Sequence, residues 1–365
     1  MIRRIYIDSE VSNLPEVGRI CSRFDTPIEI VPGPKAVYRS ILDAEDPIAA
    51  GKKVLLITRN RGEFIRDCPG TRHYTCCMYK ILHIGTYCPM DCSYCILQTY
   101  FHPPVLQYFV NEGDLFDSLE DVFQCERICR IGTGEFTDSL IWEPWTQTTR
   151  RLVSAFAVQN RSVLELKTKT VNIDPLSEVV HNRKTITSWS MNTERIIGSE
   201  ERNTASLSQR LDAAMRCESW GYPLAFHFDP MILYDGCIEE YLWVVDRIFS
   251  SVSAENMAWI SLGTFRFMPA LKPIIQTRFP DSKIVYGEFI PGLDGKMRYF
   301  KPLRIELYRK MIERIRAYGA EVTVYLCMED REAWKKSMGY LPAERGGLPA
   351  MLDERARRIC GLKTR

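Results

Sequence analysis

Residues 88–95 read Cys88-Pro89-Met90-Asp91-Cys92-Ser93-Tyr94-Cys95, and they directly follow the apolar run Ile81-Leu82-His83-Ile84-Gly85. That run reads as a strand, so the three cysteines, spaced C-x3-C-x2-C, fall in the loop at its C-terminal end. Parallel α/β barrels place their chemistry there. Three thiolates in so short a loop suit an iron–sulfur cluster, which prefers soft sulfur ligands. A closed zinc site or a fully ligated cluster needs four protein ligands, and this loop supplies three. One iron is therefore left open to a small molecule. The competing reading is a zinc site completed by a remote residue such as His83 or His102.

Outward from this loop the pattern is regular. Strand-like runs at 80–85, 127–133, 163–170, 185–192, 223–229 and 257–264 alternate with helical runs at 114–124, 145–158, 207–219 and 238–249. Such alternation implies a parallel sheet, and six units imply a partial (β/α)6 barrel instead of a closed eight-fold one. Before it, short strands at 4–8, 27–31 and 53–58 and a helix at 14–24 form a small α/β portion. After it come a strand at 283–290, a helix at 303–317, a strand at 321–326 and a short helix at 329–337. The last residues read as polar and loosely held. The expected division is an N-terminal α/β portion 1–79, a partial barrel 80–270 and a C-terminal extension 271–365.

The totals exclude several classes. The chain has 365 residues, 45% of them apolar, enough for a sizeable core. The formal charge of +2 argues against a wholly basic nucleic-acid binder, although binding is set by local patches. No apolar run approaches the roughly 20 residues of a membrane span. The opening Met1-Ile2-Arg3-Arg4-Ile5-Tyr6-Ile7-Asp8 reads as a strand and not as a signal peptide, so a cytoplasmic protein is expected. In that setting the thirteen cysteines are not a disulfide framework. Isolated ones such as Cys21, Cys217, Cys237 and Cys360 read as small buried apolar residues.

The C-x3-C-x2-C loop with an aromatic, Tyr94, before its last cysteine resembles the signature of the radical S-adenosylmethionine (SAM) superfamily. Within it the chain resembles spore photoproduct lyase and its relatives. The likeness runs through Ile5-Tyr6-Ile7, Cys95-Ile96-Leu97-Gln98-Thr99, Tyr108-Phe109-Val110-Asn111, Ser190-Met191-Asn192, Gly221-Tyr222-Pro223-Leu224 and Tyr286-Gly287-Glu288-Phe289. The resemblance implies a [4Fe–4S] cluster on Cys88, Cys92 and Cys95, with SAM bound at its open iron and cleaved to a 5′-deoxyadenosyl radical. It also implies light-independent reversal of a thymine–thymine adduct in DNA, with electrons from a flavodoxin or ferredoxin. Carried over residue by residue, Tyr94 lies near the adenine. Gly132-Thr133-Gly134-Glu135 receives the amino end of SAM, where a glycine turn permits close approach and Glu135 accepts from an ammonium. Lys169 pairs with the SAM carboxylate, and Ser190 and Asn192 meet the ribose. Arg210 reads as a helix-face charge, with a carboxylate role as the alternative.

Two positions depart from the family. A cysteine after the second strand, which returns a hydrogen atom to the product radical, is matched here by Gly132. A tyrosine after the third cluster cysteine is matched by Ile96. Cys125, Cys129, Cys76 and Cys77 are the weak candidates for a substitute donor. On the substrate side, Arg266, Lys296, Arg298 and Tyr299 interleave cations with aromatic rings, as a nucleic-acid strand requires. Arg59, Arg61, Arg72 and His73 add basic character before the cluster strand. Alongside the lyase stand two alternatives: a radical SAM enzyme acting on another nucleic-acid site or a small molecule, and a zinc-stabilised nucleic-acid-binding protein without catalysis.

Overall fold

The computed structural model describes residues 2–70, 73–319 and 321–363. The first seven strands are β1 (Arg4–Asp8), β2 (Ile28–Val31), β3 (Val54–Thr58), β4 (Ile65–Asp67), β5 (Lys80–Leu82), β6 (Gly85–Thr86) and β7 (Leu106–Phe109). Five more follow: β8 (Cys129–Gly132), β9 (Ser162–Thr168), β10 (Thr185–Ser190), β11 (Leu224–Met231) and β12 (Met257–Thr264). The last are β13 (Arg266–Phe267), β14 (Phe289–Pro291), β15 (Met297–Tyr299) and β16 (Thr323–Leu326).

Eight strands form the main sheet, ordered β16-β12-β11-β10-β9-β8-β5-β4. All its neighbours are parallel except β4, which pairs antiparallel with β5. Intervening helices cover its outside, as parallel crossovers require, and the sheet curls into a partial barrel. The six expected strands are present in the expected order, and β16 adds a seventh parallel strand. Register fixes what points inward. Gly132 pairs with Glu165, Lys167 with Ser188, and Ser190 with His227, which in turn pairs with Ser261. Paired residues share a face and the face alternates along each strand. One face therefore carries Glu165, Lys167, Ser188, Ser190, His227, Asp229 and Ser261, and the other carries Leu164, Leu166, Trp189, Phe226, Phe228, Ile260 and Leu262 with Thr168, Thr185 and Thr187 among them.

The smaller sheet runs β2-β1-β3-β7-β6. It takes β6 and β7 from the far side of residue 79, so the N-terminal portion and the cluster segment share one sheet. The expected single strand at 80–85 divides: Lys80–Leu82 stays in the barrel, and Gly85–Thr86 pairs antiparallel with β7. Gly85 tolerates this because a Cβ there would lie 2.6 Å from the Gln107 carbonyl oxygen and 2.9 Å from Trp142. Only the end of the run expected at 283–290 is extended, as β14 in a small antiparallel sheet ordered β13-β15-β14.

The tail corrects a further expectation. Residues Leu348–Cys360 form a helix whose Leu348, Leu352, Ala356 and Cys360 are buried. Arg355, also buried, donates to the carbonyls of Met257 and Ala258 at the start of β12. The i, i+4 apolar spacing, masked by three arginines, is the cause.

Candidate active site

The cysteine loop leaves the barrel at the C-terminal end of β5, and its backbone is held from outside. Lys52, 8% exposed, donates to the carbonyls of Cys88 and Met90 and pairs with Asp91 at 3.2 Å. Arg278 reaches Asp91 from the other side, also at 3.2 Å, and bonds Gln98 and Asp46. The Gln98 amide closes the loop by donating to the Ser93 carbonyl at 2.9 Å. With the carbonyls so occupied, the loop offers its thiols. Cys88 and Cys92 are buried and Cys95 is partly so, and all three are free. Burial pushes the Cys88 thiol up and holds Cys92 at about 12, with the Lys169 ammonium opposing at Cys92. Metal binding at Cys88 and Cys92 therefore works against burial and releases protons. Among the described residues, no three Cys, His, Asp or Glu side chains converge as ligands of a single metal ion do. A cluster spreads its cysteines over separate irons, and three free thiols in one short loop suit that ligation. His83 is packed edge-on between Phe109 and Phe136.

Around the loop lies a charged network, part of which the sequence did not disclose. Tyr94 donates its hydroxyl to Glu201, and Glu201 pairs with Arg210. Arg210 is no helix-face charge. It is fully buried and also donates to the Ser190 and Ala205 carbonyls at 2.8 and 3.0 Å. Burial works against ionised Glu201, but Arg210 and Lys169 hold its carboxyl below the usual range. The Lys169 ammonium stands 5.7 Å from the Tyr94 ring centre. Buried Asp138 accepts from the Lys169 N–H and the Thr168 hydroxyl at 2.8 Å each, fixing the chain that presents Lys169. Thr133 bonds Ser139 at 2.8 Å. Asn192 has both ends of its amide engaged, accepting from Tyr241 at 2.7 Å and donating to the Pro230 carbonyl at 3.0 Å.

The inward face of the barrel is polar. Glu135 pairs with Lys167, and both keep side-chain exposure, 32% and 23%. Asp229 and Arg266 make a two-pronged pair at 3.0 Å with 24% and 14% exposure. Deeper, His227 lies between Glu165 and Ser261, 2.7 Å from each. Burial opposes it, but His227 holds the Glu165 carboxyl down to about 2. Inward-facing groups that retain exposure line a cavity, here one edged by two fixed ion pairs. Gly132 lies lower. A Cβ there would fall on the Tyr79 hydroxyl and 2.6 Å from the Glu165 carbonyl oxygen, so the position admits no side chain.

The substrate candidates are largely engaged within the protein. Arg298 grips Asp294, lies 4.2 Å from the Tyr74 ring centre and is 3% exposed. Tyr299 stacks on Phe289 and accepts from the Leu233 N–H. Lys296, 19% exposed, stands 3.8 Å from Asp294. Arg59 and Arg61 pair with Asp114 and Glu10, and Arg72 lies outside the described residues. Of the thiols, Cys125 is exposed and Cys129 begins β8, at the end away from the cysteine loop. Cys76 and Cys77 lie in the segment that crosses the open seam of the barrel, where the Thr75 N–H bonds the Glu329 carbonyl beyond β16.

A parallel partial barrel with a three-thiol loop at the mouth of its first strand and an acid–lysine pair on the next two defines a radical SAM protein. The family model described as spore photoproduct lyase matches residues 75–291, and the chain belongs to that family. It is 27% identical over 210 residues to spore photoproduct lyase of Bacillus subtilis, an alignment spanning 56% of this chain and 61% of that enzyme. It is 24% identical over 339 residues to that of Clostridium acetobutylicum, covering 89% and 98%. Among solved structures, spore photoproduct lyase complexed with dinucleoside spore photoproduct matches with a TM-score of 0.79 and 21% identity, covering 89% of this chain and 99% of that one. A variant of the enzyme with bound AdoMet and the same dinucleoside matches at 0.77 and 20%, with the same coverage. At these identities the structures establish the shared fold.

Proposed function

We propose that this chain is a radical SAM lyase that reverses a thymine–thymine photoproduct in DNA. The observation that carries the reading is the loop Cys88–Cys95, with its carbonyls tied back and its thiols free, beside Lys169, Tyr94 and Glu135. Bound there, a [4Fe–4S] cluster would hold SAM at its open iron and supply the electron that cleaves it to a 5′-deoxyadenosyl radical. The relatives are spore photoproduct lyases by name, and one is known with the dinucleoside lesion. Lys169, held by Asp138, offers a cation to a carboxylate. Glu135 offers an anion to an ammonium once it exchanges Lys167 for a ligand. Thr133 and Gly134 shape the turn around that end, and Ser190 faces the same cavity. Asn192 acts by fixing the end of the fourth barrel strand.

The barrel segment 80–270 provides this site, and the extension 271–365 provides the hairpin at its mouth. Arg298 and Tyr299 stiffen that hairpin, Arg266 stands beside it paired with Asp229, and Lys296 presents charge to a phosphate. A lesion must leave its stack to enter, which a damaged step does at lower cost. The reading places the protein in the cytoplasm with DNA and a flavodoxin or ferredoxin as electron donor. Equilibrium dialysis tests the substrate directly, with the dinucleoside spore photoproduct and unmodified thymidine dinucleotide against the reconstituted protein. Preference for the lesion is expected. Equal retention of both would favour the other reading, a radical enzyme with a different substrate, to which the departures Gly132 and Ile96 point.

A further inference from the structure

A thioether sulfur is a weak hydrogen-bond acceptor, yet two cations settle on the same one. Arg266 Nε lies 3.4 Å and Lys296 Nζ 3.6 Å from Met328 Sδ. Among the described residues, neither of these nitrogens makes a hydrogen bond to an oxygen. Asp229 takes the other edge of the Arg266 guanidinium, at 3.0 Å to each carboxylate oxygen. Asp294 turns both its oxygens to Arg298 and leaves Lys296 a contact of 3.8 Å. Arg266, Lys296 and Arg298 thus face two carboxylates, and the positive charge in excess lies where the two nitrogens meet the sulfur. Burial, and then the Arg266 guanidinium, push the Lys296 ammonium below its usual range. That is the mark of two cations brought together with no anion between them. Met328 keeps its place on a backbone turned into the left-handed region, φ 53°, which a residue with a side chain seldom adopts outside functional sites. Asp229 belongs to β11, Arg266 follows β12 and Met328 follows β16, and these strands are neighbours in the main sheet. The cluster of charges therefore stands at the C-terminal mouth of the last barrel strands. The cysteine loop, Glu135 and Lys169 follow β5, β8 and β9 instead.

We propose that Arg266 Nε and Lys296 Nζ form an anion subsite for the phosphodiester that joins the two thymidines of the lesion, and that the Met328 sulfur stands in for this phosphate until substrate enters. The inference rests on the lyase reading and deepens it by giving the lesion's own phosphate a place. A phosphodiester carries one negative charge, which matches the single charge in excess. Its two non-bridging oxygens give each nitrogen the charged acceptor it lacks. The unbranched, flexible methionine side chain yields the position by turning about its own bonds, so the pair Asp229–Arg266 stays intact when the phosphate arrives.

The test compares two forms of the lesion by equilibrium dialysis against reconstituted protein: the dinucleotide photoproduct, which carries the bridging phosphate, and the dinucleoside photoproduct, which lacks it. Wild type is expected to hold the dinucleotide tighter by roughly tenfold, the worth of a charge-assisted hydrogen bond. Lys296→Met is expected to erase that preference while holding the dinucleoside as wild type does. Lys283→Met, which removes an exposed charge elsewhere in the same extension, is expected to keep the preference. Met328→Leu leaves every charge in place and removes the sulfur, so the phosphate meets no competitor and the preference is expected to rise. Equal retention of the two forms by wild type overturns the subsite. So does a preference that survives in Lys296→Met, or one lost equally in Lys283→Met, which would mark diffuse charge. A preference unchanged or lowered in Met328→Leu overturns the part given to Met328. If wild type holds neither photoproduct better than unmodified thymidine dinucleotide, the lyase reading itself fails, a different result from a dinucleoside that binds and gains nothing from its phosphate.

Discussion

His83 is enclosed by Phe109 and Phe136, and both ring nitrogens are buried without a partner. Burial, assisted by Arg66, holds its pKa at about 4 against an ordinary 6.5. Folded protein therefore binds fewer protons than unfolded protein between those values. Stability is full above pH 6.5 and falls as pH drops toward 4, by about 3 kcal/mol for this group. Urea titrations of wild type and His83→Leu across that window are expected to show the loss shrinking in the variant; identical slopes would contradict it. Gly132 gives a second test at this scale. Gly132→Ala drives a methyl into Tyr79 and is expected to cost several kcal/mol, roughly that of an overpacked core site or more. Adding Tyr79→Phe should recover part of it in thermal melts. Cys88, Cys92 and Cys95 were legible because their spacing is itself the chemistry. Glu201 and Asp138 were not, because their partners lie far away in the chain and no local pattern announces them. Arg210 was misread because one buried arginine on an amphipathic helix looks like any surface one until its acceptors are known.

At the scale of elements, the cysteine loop is positioned by side chains from outside the barrel. Lys52 comes from the N-terminal α/β portion and Arg278 from the helix Leu271–Arg278, and both reach Asp91. Lys52→Met leaves the Cys88 and Met90 carbonyls without their donor. It is expected to destabilise the loop by about 1–3 kcal/mol and to reduce iron retained per chain, with far-ultraviolet circular dichroism unchanged. Full iron retention would show that the loop holds itself. The barrel strands were readable because each is a β-rich run ended by turn residues, and 257–264 matches its strand end to end. The run at 80–85 was readable as extended but not as two strands. Which sheet receives Gly85 is settled by Gln107 and Trp142, neither of which lies near it in sequence.

For the whole molecule, the order of parallel strands followed from alternation alone, but closure did not. The gap between β4 and β16, the two edges of the main sheet, is crossed by the segment around Cys76, which no periodicity marks, and the lower rim is covered by the last helix. Removing residues 348–365 takes away the buried Leu348 and Leu352, worth about 1.5–3 kcal/mol each, and exposes the start of β12. Truncated protein is expected to be insoluble or to lose cooperative unfolding; a soluble, cooperatively melting product would contradict the packing. The lower polar layer, His227 with Glu165 and Ser261, is satisfied internally, which leaves the mouth, with Glu135, Lys167 and Lys169, as the level the proposed chemistry would use. The central claim is that this mouth runs radical chemistry on a thymine adduct. The direct measurement is anaerobic turnover of reconstituted protein with dithionite, SAM and an oligonucleotide carrying the adduct, following 5′-deoxyadenosine and restored thymine together. The account predicts that both form in wild type and neither in Cys92→Ala. Deoxyadenosine without restored thymine in wild type would contradict it.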